Sequence, residues 1–135
     1  MSAEELEIEA SGTEQEEIQE EFEEANWLTA VRAIQEKQGA DLKVLDLRPV
    51  TSFTDYFLIC TGSNPKQNQA ICDEVLRMMK LRGERPVSVE GYEPAEWILL
   101  DYADFIVHVF SVKGRAYYDL DRLWKQATTV DIPAE

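Results

Sequence analysis

The sequence predicts an α/β (α+β) domain in which a mixed β-sheet of about five strands is flanked by helices. Three observations carry that reading. Apolar residues recur at helical spacing in three separate stretches, and short apolar runs of strand length stand between them. Gly, Pro and Asn punctuate the junctions, and the resulting order is helix, two strands, helix, three strands, helix.

The first helix starts near Asn26. Trp27, Leu28, Val31 and Ile34 share one face of it, and Gly39 is placed to end it. LKVLDL (42–47), bounded by Asp41 and Pro49, reads as a strand. YFLIC (56–60) is an unbroken apolar run, as in a strand buried on both faces. Thr61 to Pro65 forms the turn into the second helix, with Ser63 or Asn64 as cap and Pro65 in the first turn, where no amide partner is lost. That helix runs to about Arg82, turns Ile71, Val75, Met78 and Met79 inward, and stops at Gly83. Val87 and Val89 alternate with polar residues before Gly91 and Pro94 break the run. WILLDY (97–102) and FIVHVF (105–110) are parted only by Ala103 and Asp104, the spacing of a hairpin. Leu120, Leu123, Trp124 and Ala127 predict a last helix, and residues 128–135 a loose tail.

Charge divides the chain more sharply than hydropathy does. The formal net charge is -14 over 135 residues, yet residues 1–26 hold eleven Glu and no Lys or Arg. The remainder balances 16 acids against 13 bases. Residues 1–25 are therefore expected to be an acidic arm, either disordered or marginally helical, ahead of a domain spanning 26–127. Its functional alternative is an arm that mimics nucleic acid or competes for a basic surface. Cys60 and Cys72 both lie in apolar segments and read as buried free thiols of a reducing cytoplasm. The acidic start lacks the pattern of a signal or transit peptide, and no apolar run is long enough to span a bilayer.

Between Arg85 and Lys113 there is no Lys or Arg, whereas Glu90, Glu93, Glu96, Asp101 and Asp104 all fall there, interleaved with Tyr92 and Trp97. Aromatic rings among carboxylates suit a basic protein surface: the rings supply buried area, and the acids steer and pair. The same patch repels phosphate, which argues against direct nucleic-acid binding through it. Each residue also has a structural reading. Trp97 opens a strand and fits a core equally well, Asp104 fits a turn, and Trp124 keeps the core spacing of Leu120 and Ala127. Of the neighbours Tyr117 and Tyr118, one is expected to be buried and one exposed.

Four segments resemble a known family: KVLDLRPVTSFT (43–54), DYFLICTGSN (55–64), VEGYEPAEWILLDYADFIVHVF (89–110) and RAYYDLDRLW (115–124). Together, over residues 27–126, they are similar to the ribosomal silencing factors, also called Iojap-like or RsfS proteins. The resemblance implies a nucleotidyltransferase-like fold, often a homodimer, and no enzymatic activity. It implies docking on the large ribosomal subunit through ribosomal protein fourteen, which blocks joining with the small subunit and represses translation under nutrient limitation. It also tips Trp97 and Tyr118 toward the interface, to which the charge pattern adds Glu90, Tyr92, Glu93, Glu96 and Asp101 as partner-binding residues. The acidic arm lies outside the resemblance.

The enzymatic alternative is a nucleotide-binding or nucleotidyl-transferring protein using the Thr61–Asn64 turn, whose helix start resembles a phosphate site. That chemistry needs paired carboxylates nearby for Mg²⁺. Asp73 and Glu74 are adjacent on a helix and cannot converge as an Asp-x-Asp pair does, and Asp119 and Asp121 stand far along the chain. His108 is the only histidine and reads as a hydrogen-bonded sheet residue, so no His-based metal cluster is available. No catalytic, cofactor or metal residue is expected.

Overall fold

The structure is a computed structural model that describes residues 24–134, so the acidic arm up to residue 23 lies outside the described residues. Six strands form one mixed sheet in the order β3-β4-β5-β2-β1-β6. They are β1 (Ala40–Asp46), β2 (Tyr56–Gly62), β3 (Ser88–Glu90), β4 (Trp97–Asp101), β5 (Phe105–Ser111) and β6 (Thr128–Val130). Only β2 and β5 pair in parallel; every other neighbouring pair is antiparallel.

Helices α1 (Asn26–Glu36) and α2 (Pro65–Leu81) cover one face of this sheet. Their inward rows, including Val31 and Ile34 from α1 and Ile71, Val75 and Met79 from α2, meet Val44, Leu58, Cys60, Ile98, Leu100, Val107 and Val109 from the sheet. The two free thiols, Cys60 and Cys72, sit in this core, and burial pushes both up to about 12. The α2 start follows its sequence signals: Asn64 Oδ1 accepts from the Gln67 amide at 2.8 Å and Pro65 occupies the first turn. At the end of α1 the left-handed residue is Gln38 (φ 61), one position before the expected Gly39.

Two differences from the sequence reading concern the C-terminal third. The last helix begins earlier than expected and is split into α3 (Val112–Tyr118) and α4 (Leu120–Leu123), because Asp119 between them takes the left-handed conformation (φ 48, ψ 53). The stretch expected to be loose from residue 128 contains a sixth strand. Thr128, Thr129 and Val130 pair with Asp46, Leu45 and Val44 of β1, and three residues on an edge are too few to show an alternating pattern.

A smaller apolar cluster lies on the opposite face of the sheet. Leu45, Leu47, Phe57, Ile59, Phe110 and Leu120 form it, with Trp97, Ile106, Trp124 and Ala127 partly buried against it. Trp124 packs there as the core residue its spacing predicts, its ring edge-on to Phe57 at 5.6 Å. The segment α3–α4 therefore roofs the middle of this face, packing on β5 and β2 and reaching Trp97 at the start of β4 through Tyr118.

Candidate partner-binding face

The strand register decides which predicted residues meet. Trp97 pairs with Phe110, Leu99 with His108 and Asp101 with Ile106 across β4–β5, while Glu90 pairs with Leu99 across β3–β4. Paired residues project to the same side of a sheet and alternate along each strand. Glu90, Trp97, Leu99, Asp101, Ile106, His108 and Phe110 thus share the face turned away from α1 and α2. Leu99 and Ile106 remain half-buried there.

Trp97 is partly buried and tightly located. Its ring stacks on Phe110 at 5.1 Å, meets Tyr118 at 4.5 Å, and donates its indole N–H to His108 Nδ1 at 3.0 Å. Tyr118 reaches it because the first turn of α3 lies directly over the Glu96–Trp97 backbone. Ser111 caps that turn by accepting from the Gly114 amide at 2.9 Å, and its own amide donates to the Glu96 carbonyl at 3.0 Å. A Cβ on Gly114 would stand 2.7 Å from that same carbonyl oxygen, so only glycine allows this approach. On the other side Gly91, at φ 76, folds the 91–95 turn against the Trp97 carbonyl. Both Tyr117 and Tyr118 are exposed, at 80% and 46%, contrary to the expectation that one would be buried. Tyr118 ends α3 and leans on Trp97, itself only partly buried, so that contact leaves it half in solvent.

The acids divide between this face and its margins. Glu90 is exposed beside Leu99, and Asp101 accepts from the Ala103 amide at 2.8 Å, which caps the β4–β5 turn. Glu96 accepts from Ser111 Oγ at 2.8 Å at the foot of α3. Glu93 is exposed in the 91–94 turn. Among the described residues, no Lys or Arg forms an ion pair with Glu90, Glu93, Glu96 or Asp101. Tyr92 is set apart from the others. It packs against the helix-covered core and donates to the Asp73 carboxylate at 2.9 Å, a bond that raises its pKa.

His108 is buried (3% exposed), as a sheet histidine should be, and desolvation lowers its pKa to about 3. Its role as the acceptor for Trp97 escaped the sequence reading. The hairpin arithmetic contains it: a two-residue turn at Ala103–Asp104 sets Leu99 opposite His108 and Trp97 opposite Phe110, the next pair on that face. Arg115 was missed as well. It grips Asp121 through two bonds of 2.9 and 3.0 Å and reaches the Asp41 carbonyl and Thr61 Oγ1, tying the α3–α4 roof to β1 and β2. Arg115, helped by Lys43 at 3.2 Å, lowers the Asp121 pKa to about 2.

The Thr61–Asn64 turn is occupied by its own chain. The Ser63 amide and Oγ both donate to Gln67 Oε1, at 2.6 and 2.8 Å, and Gln67 in turn donates to the Lys37 and Gln38 carbonyls. Asp73, Glu74 and Asp121 are spread over three separate pairings, with Tyr92, Arg77 and Arg115. Among the described residues no three His, Cys, Asp or Glu side chains converge on a metal position, and no helix is long and apolar enough to cross a membrane.

A family model described as ribosomal silencing factor during starvation matches residues 15–135. The chain belongs to the ribosomal silencing factor family. The match starts inside the acidic segment and runs to the C-terminus, so it extends past both ends of the 27–126 region on which the resemblance was read. The ribosomal silencing factor RsfS of Halalkalibacterium halodurans is 40% identical over 103 residues, covering 76% of this chain and 88% of the relative. The chloroplastic protein Iojap of Zea mays is 28% identical over 106 residues, which are 78% of this chain and 46% of that longer protein. A crystal structure from Bacillus halodurans superposes with a TM-score of 0.69 at 39% identity, covering 76% of this chain and 93% of that one. Membership carries a role in ribosome silencing, a regulatory role in translation, onto the fold described above.

Proposed function

We propose that this member of the family represses translation by docking on the large ribosomal subunit, through ribosomal protein fourteen, and so keeps the small subunit from joining. The chain acts as a stoichiometric binder in the cytoplasm, with no catalytic step, and the family resemblance favours a homodimer. The observation that carries this reading is the Trp97–Tyr118 pair. Two aromatic rings in contact at 4.5 Å, both partly open to solvent, stand where α3 meets β4. Glu90 and Asp101 share that sheet face and Glu96 lies at the foot of α3, without an ion-pair partner among the described residues. Burying such an anchor supplies most of the binding energy, and the acids attract and orient a Lys- and Arg-rich protein surface. Those same acids oppose direct sequence-specific binding of nucleic acid.

Binding measured on separated ribosomal subunits tests this. The purified chain should bind the large subunit and leave the small one free. Trp97→Ala should weaken that binding by about 2 kcal/mol or more while the far-ultraviolet circular dichroism stays unchanged. Undiminished affinity in a folded Trp97→Ala chain would remove Trp97 from the interface.

A further inference from the structure

We infer that His108 is a positioning residue for Trp97: its Nδ1 holds the indole in a single orientation, so that the ring meets a partner already ordered. The inference rests on the reading of the Trp97 face as the surface that engages the large subunit, and it adds what makes that surface effective.

The surroundings of His108 are aromatic. Phe57 stands edge-on at 4.4 Å, Phe110 lies parallel at 6.2 Å, and Trp97 is the ring that bonds it. An indole nitrogen only donates, so His108 Nδ1 is the acceptor, and in the neutral ring the proton resides on Nε2. Nε2 is buried without a hydrogen-bond partner among the described residues. A leucine in this place would pack against the same rings and strand no polar atom. The histidine therefore works against folding stability, and its one hydrogen bond goes to Trp97.

That bond has a consequence for recognition. Trp97 opens β4 and is only partly buried, so packing alone does not confine it as it would a core ring. Stacking on Phe110 and the tilted contact with Tyr118 fix the plane of the indole, and the bond to His108 fixes its rotation within that plane. With its N–H satisfied internally, the ring offers apolar face and edge, and a partner has no donor to desolvate or match. An aliphatic stem or a guanidinium lying on such a face is the chemistry it receives best.

Three substitutions test this against a merely structural role. His108→Leu should keep the melting temperature of the parent chain or raise it, yet bind the large subunit about three- to tenfold more weakly, the range set by one ordered side chain and one hydrogen bond. His108→Asn, whose amide oxygen can stand near the Nδ1 position, should restore most of the affinity. Trp97→Phe keeps a ring and removes the donor, so it should lose a similar amount, with no further loss when His108→Leu is added. In the free protein, the Trp97 indole proton should exchange slowly with solvent in the parent chain and quickly in His108→Leu.

A parent-like affinity in both His108→Leu and Trp97→Phe would overturn the inference, as would an indole proton equally protected in both chains. Should Trp97→Ala still bind weakly in that case, the positioning role alone has failed. Should Trp97→Ala also bind like the parent, the assignment of Trp97 to the interface has failed, and the positioning role falls with it. If His108→Leu does not fold, the Trp97→Phe comparison decides by itself.

Discussion

Trp97 commits its only side-chain hydrogen-bonding group to His108, and His108 holds that bond at the cost of a buried Nε2 that bonds to nothing among the described residues. Such a histidine leaves a signature in the pH dependence of stability. Its folded pKa, about 3, lies below the ordinary value of 6.5, so between those limits the unfolded chain binds a proton that the folded chain refuses. The contribution is complete above 6.5 and is lost as the pH falls toward 3, at up to about 1.4 kcal/mol per pH unit. Asp121, held at about 2 by Arg115, adds a loss of the same sign at lower pH, below its ordinary 3.8. Thermal melts of the parent chain should therefore drop steadily between pH 6.5 and 4. In His108→Leu that stretch should be flatter, while the steeper loss below pH 4 persists. Parallel curves for the two chains over pH 6.5 to 4 would show that His108 does not titrate in the unfolded chain alone.

The hairpin β4–β5 and the roof α3–α4 make the face, and they were legible to different degrees. The hairpin was plain, because two apolar runs parted by Ala103 and Asp104 leave few alternatives. Its register, and with it the meeting of Trp97, His108 and Phe110, follows from that turn alone. The roof was harder. The periodicity of Leu120, Leu123 and Trp124 located a helix, but Asp119 takes a left-handed conformation that only its tertiary setting selects, and this splits the helix in two. Tyr92 shows the opposite failure: its spacing among acids put it with Trp97, while a long-range bond to Asp73 on α2 draws it to the helix-covered side. Strand β6 was invisible because its partner, β1, lies more than eighty residues earlier. The roof also yields a prediction. Gly114→Ala places a methyl group against the Glu96 carbonyl, a backbone atom that cannot give way easily, and should cost about 1–3 kcal/mol in stability. It should also lift Tyr118 from Trp97 and weaken large-subunit binding, so chemical denaturation and binding report the same substitution. An unchanged denaturation midpoint would mean that α3 can shift without cost.

At the scale of the molecule, the charge map separates two roles that the net value of -14 merges. Eleven of the acids belong to the first 26 residues, and the family match takes in only the part of that stretch from residue 15. The folded domain is close to balanced, and its local surplus falls between Arg85 and Lys113, on and around the Trp97 face. Replacing Glu90, Glu96 and Asp101 by neutral amides should chiefly slow association with the large subunit and flatten its salt dependence, with little change in dissociation. Association kinetics at two ionic strengths measure both, and a salt-independent rate in the parent chain would contradict the electrostatic part of the account. The central claim, that the chain acts by keeping the subunits apart, is tested most directly by sedimentation. Separated subunits are mixed with the purified chain, and Mg²⁺ is then raised to promote joining. The chain should migrate with the large subunit and joined ribosomes should diminish, with Trp97→Ala failing on both counts. Full joining in the presence of saturating, bound chain would contradict it.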